Sequence, residues 1–219
     1  MKSTISSAVS PERKYGGLAR SVRVAERRKK FIEAGIKVFG KAGYRAGTVR
    51  ALCAEAGLTD RYFYESFRNT EDLFIACYQE LTGTLRTRML EAFAPVLPDW
   101  DAVSRTGLRI FFEAVRDPHF ARITLIEVPG NSAEVARVYR QNTEAFATLI
   151  LDTFRLIEPE LQISKVDEEI LGTALAGAVM IAGLHWMQRE YREPVEQMVE
   201  NCRRIFIGTA RVAVEGQEP

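Results

Sequence analysis

The segment from Thr48 to Phe74 constrains the fold of this chain more than any other, because one glycine divides it into two short helices. Gly57 can enter the left-handed conformation that ends a helix, since glycine has no Cβ atom to clash there. Thr48 can cap the helix before this turn, and Thr59 can cap the helix after it, which runs to Phe67. Two short helices joined by a turn of about three or four residues have the spacing of a helix-turn-helix, whose second helix enters the DNA major groove.

The second of these helices has an apolar face and a polar face. Phe63 and Phe67 lie four residues apart on one side. A rotation of about 100° per residue places Arg61 and Glu65 on the opposite side. Such a helix can pack its phenylalanines inward and present its polar face to DNA, although an ordinary amphipathic surface helix has the same pattern. The candidate DNA contacts in the motif, residues 48–67, are Thr48, Arg50, Thr59, Arg61, Tyr62, Tyr64, Glu65 and Ser66.

Charge is distributed unevenly along the chain. The whole sequence has 30 basic and 29 acidic residues and is nearly neutral. Residues 1–70 hold 15 basic and 6 acidic residues, a net charge of +9, whereas residues 71–219 hold 15 basic and 23 acidic, a net charge of −8. A basic N-terminal third that contains the helix-turn-helix indicates an end that meets phosphates, the alternative being a solvated basic face without a partner.

The first 23 residues are polar, basic and punctuated by serine, proline and glycine, which predicts a disordered arm. They contain no apolar run of the kind found in secretory signals. Basic residues such as Arg13 and Arg20 can add phosphate or minor-groove contacts, or the arm can be a passive tail. The predicted organisation is therefore an arm over 1–23, a helix-turn-helix domain over 24–85, and a regulatory and dimerisation domain over 86–219.

Hydrophobic periodicity predicts an all-α fold of about nine helices. A first helix is predicted from about Val24 to Ala42, and Asn69 begins a long helix that extends to about Phe93. Prolines and glycines separate five further helices, over about 101–117, 119–127, 132–157, 166–190 and 194–214.

The run from Ile170 to Met187 is 18 residues long, and only Thr173 and His185 in it are polar. This length approaches that of a membrane span. Seven of its residues are glycine or alanine and acidic residues precede it, so a helix buried on all sides in a soluble protein is favoured. Paired with the next helix and with two from a second chain, it would form a four-helix bundle. The residues predicted at this dimer interface are Gly172, Ala176, Gly177, Gly183, Val199 and Phe206.

No enzyme class is indicated. His119 and His185 are the only histidines, and the sequence has neither an HExxH motif nor a phosphate-binding glycine loop. Cys53, Cys77 and Cys202 are odd in number and far apart, which predicts buried thiols in a reducing cytosol rather than a disulfide framework. We therefore predict no catalytic residue, no metal and no cofactor.

The central helices can enclose a pocket for a small-molecule ligand. Glu113, Gln141 and Asn142 are the candidates for polar recognition, without a choice among them. Each aromatic candidate is more often ordinary core than pocket; these candidate walls are Phe111, Phe112, Phe120, Tyr139, Phe146, Phe154, His185 and Trp186.

A set of residues distributed over about 25–85 completes the pattern: Phe39, Gly43-Tyr44, Thr48, Ala56-Gly57, Thr59, Tyr64, Phe67 and Glu71-Asp72-Leu73-Phe74. This set resembles the TetR family of one-component bacterial transcriptional regulators. The resemblance implies a cytoplasmic, all-helical homodimer, placed on the nucleoid while its N-terminal domains bind a palindromic double-stranded DNA operator. It also implies C-terminal domains that dimerise and hold a small-molecule inducer, and hence a repressor that the inducer releases.

The chain departs from the family pattern in the recognition helix. Asp60 and Arg61 stand where the family often has lysine and glycine, Ser66 where it often has histidine, and Thr70 where it often has lysine. Two basic phosphate contacts are therefore in question. The second hypothesis is a ligand- or partner-binding helical protein whose DNA binding is weakened or lost.

Overall fold

The structure is a computed structural model that describes residues 12–127, 132–160 and 164–215. Over these ranges the chain forms nine α-helices and no strand, which confirms the predicted all-α class. The helices are α1 (Glu12–Ala42), α2 (Val49–Ala56), α3 (Asp60–Ser66), α4 (Thr70–Phe93), α5 (Trp100–Val115), α6 (Pro118–Ala121), α7 (Ala133–Ile157), α8 (Lys165–Gln188) and α9 (Val195–Glu215). A 3₁₀ turn, Tyr44–Ala46, precedes α2, and a π-helical turn, Arg122–Ile126, follows α6 directly.

The N-terminal helix is longer than the sequence predicted. It begins at Glu12 rather than near Val24, so the prediction of a disordered arm is wrong for residues 12–23. Residues 1–11, the rest of that arm, lie outside the described residues. A glycine in a helix costs only about 1 kcal/mol relative to alanine, and the Gly16-Gly17 pair therefore does not end a helix that good helix formers continue on both sides. Arg20 and Arg23 lie exposed on this helix.

Aromatic rings between α1, α3 and α4 form the core of the N-terminal domain. Phe31 on α1 is fully buried and meets Phe63 and Phe67 edge to face, with centroid separations of 5.4 and 6.4 Å. Phe39 meets Phe74 of α4 in the same way at 5.3 Å. The prediction that Phe63 and Phe67 face inward is therefore confirmed, and both anchor α3 to the longer helices on either side.

The turn between α2 and α3 has the predicted geometry. Gly57 is left-handed, with φ of +63°, and its N–H donates to carbonyls of the last turn of α2. The Thr48 hydroxyl caps α2 by accepting from the backbone N–H of Ala51 at 3.2 Å. Thr59 occupies the capping position of α3, but its side chain makes no capping bond. Asp60 is the side chain that accepts there, from the backbone N–H of Arg61 at 2.9 Å, and its charge suits the positive end of the helix dipole.

Helix α4 belongs to both halves of the molecule. Asn69 caps its start by accepting from the N–H of Asp72 at 2.8 Å. Its first half, with Leu73, lies in the N-terminal core, and its second half, with Leu85 and Met89, lies in the core of the regulatory half. In that half α7 packs along α8 and α5 packs along α9. A rigid element thus joins the two regions without a flexible linker.

The three cysteines are free and buried, as predicted. Cys77 donates from its Sγ to the backbone carbonyl of Ile32 at 3.4 Å, so it fastens α4 to α1. Burial raises the pKa of the Cys202 thiol to about 11. These thiols therefore remain protonated near neutral pH and act as small core residues.

Helix α8 is buried on one side only within a single chain. By length and composition it could cross a membrane, yet only 33% of its most apolar window is buried inside the chain. Ile170 and Ile181 remain 63% and 66% exposed. The expectation of a helix buried on all sides is thus wrong for one chain, because its outward side carries isoleucines that no other element of the described chain covers.

The left-handed turn can be tested through stability. We expect Gly57→Ala to lower the free energy of unfolding by about 1–2 kcal/mol, the cost of an L residue in the left-handed region. No atom lies within 4 Å of the added Cβ, so a steric clash does not contribute. The matched control is Gly83→Ala inside α4, where the Cβ position is equally open and a gain of about 0.5–1 kcal/mol is expected. Urea unfolding followed by circular dichroism measures both; a Gly57→Ala protein as stable as the parent would refute this geometry.

Candidate DNA-binding surface and ligand cavity

Helix α3 presents its polar face outward. The Arg61 side chain is 82% exposed and Tyr64 is 62% exposed, on the side away from the buried Phe63. Thr48, Arg50 and Thr59 are exposed beside them. Arg61 Nε donates to Glu65 Oε1 at 3.3 Å, an i,i+4 pair at the surface. An exposed guanidinium on a short helix that lies across a buried core can reach the edges of bases in a major groove.

Two arginines of α1 pack against α3. Neither was singled out from the sequence. The Arg27 guanidinium lies 3.8 Å from the centroid of the Tyr62 ring and also donates to Glu65 Oε2 at 3.2 Å. Arg28 lies over the Phe67 ring and donates to the backbone carbonyl of Ser66 at 2.9 Å. The basic run at residues 27–30 is the sequence signal that could have identified these arginines. Which way their side chains point, however, depends on how α1 packs against α3.

These contacts sort the predicted DNA-binding residues into two groups. Tyr62 and Ser66 are half-buried, and the Ser66 hydroxyl donates to the backbone carbonyl of Tyr62 at 3.0 Å. Both therefore stabilise α3 within the protein. The Glu65 carboxylate receives Arg27 on one oxygen and Arg61 on the other. It thereby links Arg27 of α1 to Arg61, while the remaining predicted residues keep an open polar face.

A cavity of about 120 Å³ lies in the regulatory half, surrounded by side chains of α4 to α9 and the π-helical turn. No charged residue lines it. Four of its polar side chains are hydroxyls that donate to a backbone carbonyl one turn earlier in their own helix, at 2.7–3.1 Å: Thr82, Ser104, Thr124 and Thr153. Their protons are thus already used, and most of the wall behaves as an apolar surface.

The remaining hydrogen-bonding pair of the wall is Tyr78 on α4 and Asn142 on α7. Asn142 Nδ2 donates to the Tyr78 phenol oxygen at 3.0 Å. Burial raises the pKa of the Tyr78 phenol, more than the hydrogen bond from Asn142 lowers it. The phenol is therefore neutral near physiological pH and keeps its own proton to donate.

The structure brings only some of the predicted ligand residues to this cavity. Phe111, Phe120, Phe146 and Phe154 line it, and so does Asn142 among the polar candidates, whereas Glu113 and Gln141 are exposed elsewhere. Phe112, Tyr139, His185 and Trp186 do not line this cavity, so the structure gives no support to a ligand contact by them.

These four residues have other contacts in the structure. Phe112 and Trp186 fill the core as an edge-to-face pair at 5.7 Å, and Trp186 Nε1 donates to the backbone carbonyl of Glu193 at 2.9 Å. Tyr139 packs beside the N-terminal core, and His185 is exposed. Periodicity identified most of these residues as inward-facing, but it did not reveal which inward-facing side chains border a cavity.

Most residues predicted at a dimer interface are used inside the chain. A Cβ on Gly172 would lie 2.9 Å from Leu151 of α7, and one on Gly183 would lie 3.0 Å from Phe111 of α5. Ala176 and Phe206 line the cavity, and Val199 is 1% exposed in the regulatory core. Gly172, Ala176, Gly183 and Val199 are thus buried inside one chain, the three small residues because they allow close approach to helices of the same chain, whereas an interface role for the half-buried Phe206 stays a prediction. Of the predicted interface residues, Gly177 alone faces open space.

The outward faces of α8 and α9 nevertheless form an apolar surface, which we call the α8–α9 surface. Its α8 residues recur at intervals of three, four or seven positions and therefore lie on one face of that helix, and the same holds for its α9 residues. Its large members are 48–70% exposed. It comprises Val166, Ile170, Gly177, Ile181 and His185 of α8 and Ile205, Gly208 and Val212 of α9.

The segment formed by α6 and the π-helical turn connects the cavity to the N-terminal domain. Phe120 and Thr124 line the cavity from this segment. On its other side, Glu127 Oε2 accepts from the backbone N–H of Tyr44 at 3.1 Å. A Cβ on Gly40 of α1 would lie 2.6 Å from the Cα of His119, so the two backbones are in close contact.

Comparison with known proteins agrees with this architecture. Residues 31–77 match the family model described as bacterial regulatory proteins, tetR family. The fatty acid metabolism regulator protein of Bacillus subtilis is 22% identical over 119 residues, which are 54% of this chain and 61% of that protein, less than two thirds of its length. The HTH-type transcriptional regulator YhgD of the same organism is 23% identical over 154 residues, or 70% of this chain and 72% of that protein.

Solved structures share the fold. The transcriptional regulator FadR from Bacillus subtilis, in complex with stearoyl-CoA, has a TM-score of 0.70 at 16% identity and covers 81% of this chain and 96% of its own. The fatty acid degradation regulator FadR from Bacillus halodurans has a TM-score of 0.71 at 17% identity, with 83% and 95% covered. The family-model match over residues 31–77, together with the helix-turn-helix and its exposed polar face, identifies the N-terminal part of the chain as a DNA-binding domain of the tetR type, and the chain shares the fold of these regulators.

Proposed function

We propose that this protein is a cytoplasmic, homodimeric repressor that leaves its operator when a ligand with an apolar chain enters the cavity. The observation that carries the proposal is the cavity wall, which contains no charged residue and whose hydroxyl protons are mostly used within their own helices. Such a wall suits a hydrocarbon chain, since each buried CH₂ contributes roughly 0.8 kcal/mol. The similar regulator crystallised with stearoyl-CoA supports an acyl compound as the ligand.

The route from ligand to DNA runs through α4 and α6. Both helices contribute side chains to the cavity, and both contact the N-terminal domain. A dimer must hold its two α3 helices about 34–36 Å apart to enter successive major grooves. A ligand that pushes α6 outward would displace α1 at Gly40 and change this distance. It releases DNA only if it binds the displaced state more tightly than the DNA-binding state.

The α8–α9 surface supports the homodimer. Its residues follow one side of each helix, whereas the other side of α8 packs on α7 and α5 within the chain. A membrane would favour an apolar surface on all lipid-facing sides, but a second copy needs one complementary face, as in a four-helix bundle. Large contiguous apolar patches on soluble proteins mark such contact sites.

Arg61 tests the DNA-binding face. We expect Arg61→Ala to lose about 1–3 kcal/mol on a specific site and to relax base preference at one position in each half-site. The site is first selected from random DNA with the purified protein, and binding is then titrated. Arg105→Ala is the matched control, because Arg105 makes an i,i+4 pair with Asp101 on the regulatory half. Unchanged affinity and base preference in Arg61→Ala would reduce the Arg61–Glu65 contact to a surface ion pair without a DNA role.

Gly177 tests the dimer. We expect Gly177→Leu to weaken self-association by about 1–3 kcal/mol or more, because the new side chain would overpack the interface with a second copy. Gly83→Leu is the matched control: both glycines lie inside helices, and neither Cβ position has an atom of the same chain within 4 Å. Sedimentation equilibrium measures both variants. If Gly177→Leu and Gly83→Leu dimerise equally well, the interface lies on another surface.

Ala176 tests the ligand site. Stearoyl-CoA is expected to weaken operator binding roughly 5–150-fold, the range of typical coupling free energies, and operator DNA should weaken stearoyl-CoA binding by the same factor. Ala176→Leu fills the cavity and should remove most of this effect while leaving ligand-free operator binding intact. The control Thr148→Leu places the same side chain on the exposed side of α7 and should respond like the parent protein. Operator affinity that ignores stearoyl-CoA and shorter acyl-CoA thioesters alike would remove the basis for an acyl ligand.

A further inference from the structure

We propose that Tyr78 and Asn142 bind an uncharged carbonyl group at one end of the ligand, so that the cavity accepts esters and thioesters and excludes the free carboxylate. This inference rests on the proposed function, because it specifies the end group of the chain-bearing ligand in the same cavity. The nucleotide of a CoA thioester has no part in it.

Apart from the indole N–H of Trp100, the wall groups that can donate a hydrogen bond to a ligand belong to this pair. The four wall hydroxyls donate to their own helices. The Tyr78 oxygen accepts from Asn142 at 3.0 Å, which leaves the phenol proton and the second N–H of the amide for an acceptor on the ligand. Two neutral donors from α4 and α7 can converge on one carbonyl oxygen, which has two lone pairs.

The same wall is unsuited to a carboxylate. The residues that line the cavity include no lysine, arginine or histidine. Tyr78 is 3% exposed, so an acceptor beside its hydroxyl loses most of its contact with water. A buried carboxylate without a cationic partner must take up a proton or remain in solvent. A carbonyl of an ester or thioester has no such requirement, since two neutral hydrogen bonds replace those it makes with water.

The test compares ligands that share one chain and differ in the end group. Decanoate, methyl decanoate and the decanoyl thioester of N-acetylcysteamine are titrated into the full-length protein at pH 7.5, and undecane serves as the chain without a carbonyl. Binding is followed by tryptophan fluorescence, because Trp100 lines the cavity. We expect the ester and the thioester to bind at least roughly tenfold more tightly than decanoate, in line with the cost of burying an unpaired charge.

Three variants assign this preference to the pair. Tyr78→Phe should weaken the ester and thioester roughly fivefold to tenfold, the effect of one lost hydrogen bond, and leave undecane unchanged. Tyr139→Phe is the matched control, since Tyr139 lies on α7 outside the cavity wall. Asn142→Lys adds an ammonium group beside the ligand end and should reverse the preference in favour of decanoate.

The outcomes separate the two proposals. Decanoate binding as tightly as its methyl ester, or a Tyr78→Phe protein that binds the ester like the parent, would overturn the carbonyl assignment and leave the apolar-chain ligand in place. Failure of every ligand, undecane included, to bind would overturn the proposed function together with this inference. Reversed preference in Asn142→Lys would support the assignment even if Tyr78→Phe folded poorly.

Discussion

The contact of Phe63 and Phe67 with Phe31 is the interaction on which the DNA-binding half depends. Helix α3 is only seven residues long, far below the length at which an isolated helix is stable in water. Its conformation therefore comes from burial of the two rings on its inner face, and edge-to-face aromatic pairs contribute about 0.5–1.5 kcal/mol beyond the area they bury. Arg27 and Arg28 of α1 add contacts to the rings of Tyr62 and Phe67. The direction of Arg61 is consequently determined by a core that lies behind it.

The helices and the polar face of α3 were predictable because their signals are local. Thr48, Gly57 and Asn69 mark helix ends through bonds to residues at most four positions away, and all three act as expected. The start of α1 was not predictable from the Gly16-Gly17 pair, since helix propensity is a sum over many residues. One unfavourable pair does not outweigh the good helix formers around it.

The ligand and dimer residues were harder to predict because they depend on which element lies opposite. Phe146 and Trp186 both read as inward-facing aromatic residues, yet the first borders a cavity and the second packs against Phe112. Gly172 and Gly177 are equivalent in sequence terms, but a Cβ on the first would meet α7 and one on the second would meet nothing. Tyr78 was missed because its position on α4 gives no sign that Asn142, 64 residues later, provides its partner.

The close approach of α1 and α6 at Gly40 has a mechanical consequence. Contacts between long side chains are compliant, because rotamer changes absorb small displacements before the backbone moves. At Gly40 helix α1 contributes no side chain, and an added Cβ would lie 2.5–2.6 Å from the Cα, Cβ and Cδ2 atoms of His119 of α6. A displacement of α6 at this point therefore presses on the α1 backbone, and α1 has no side-chain torsion there to absorb it. We therefore expect α6 and α1 to move together, so that a displacement in the regulatory half reaches the N-terminal domain.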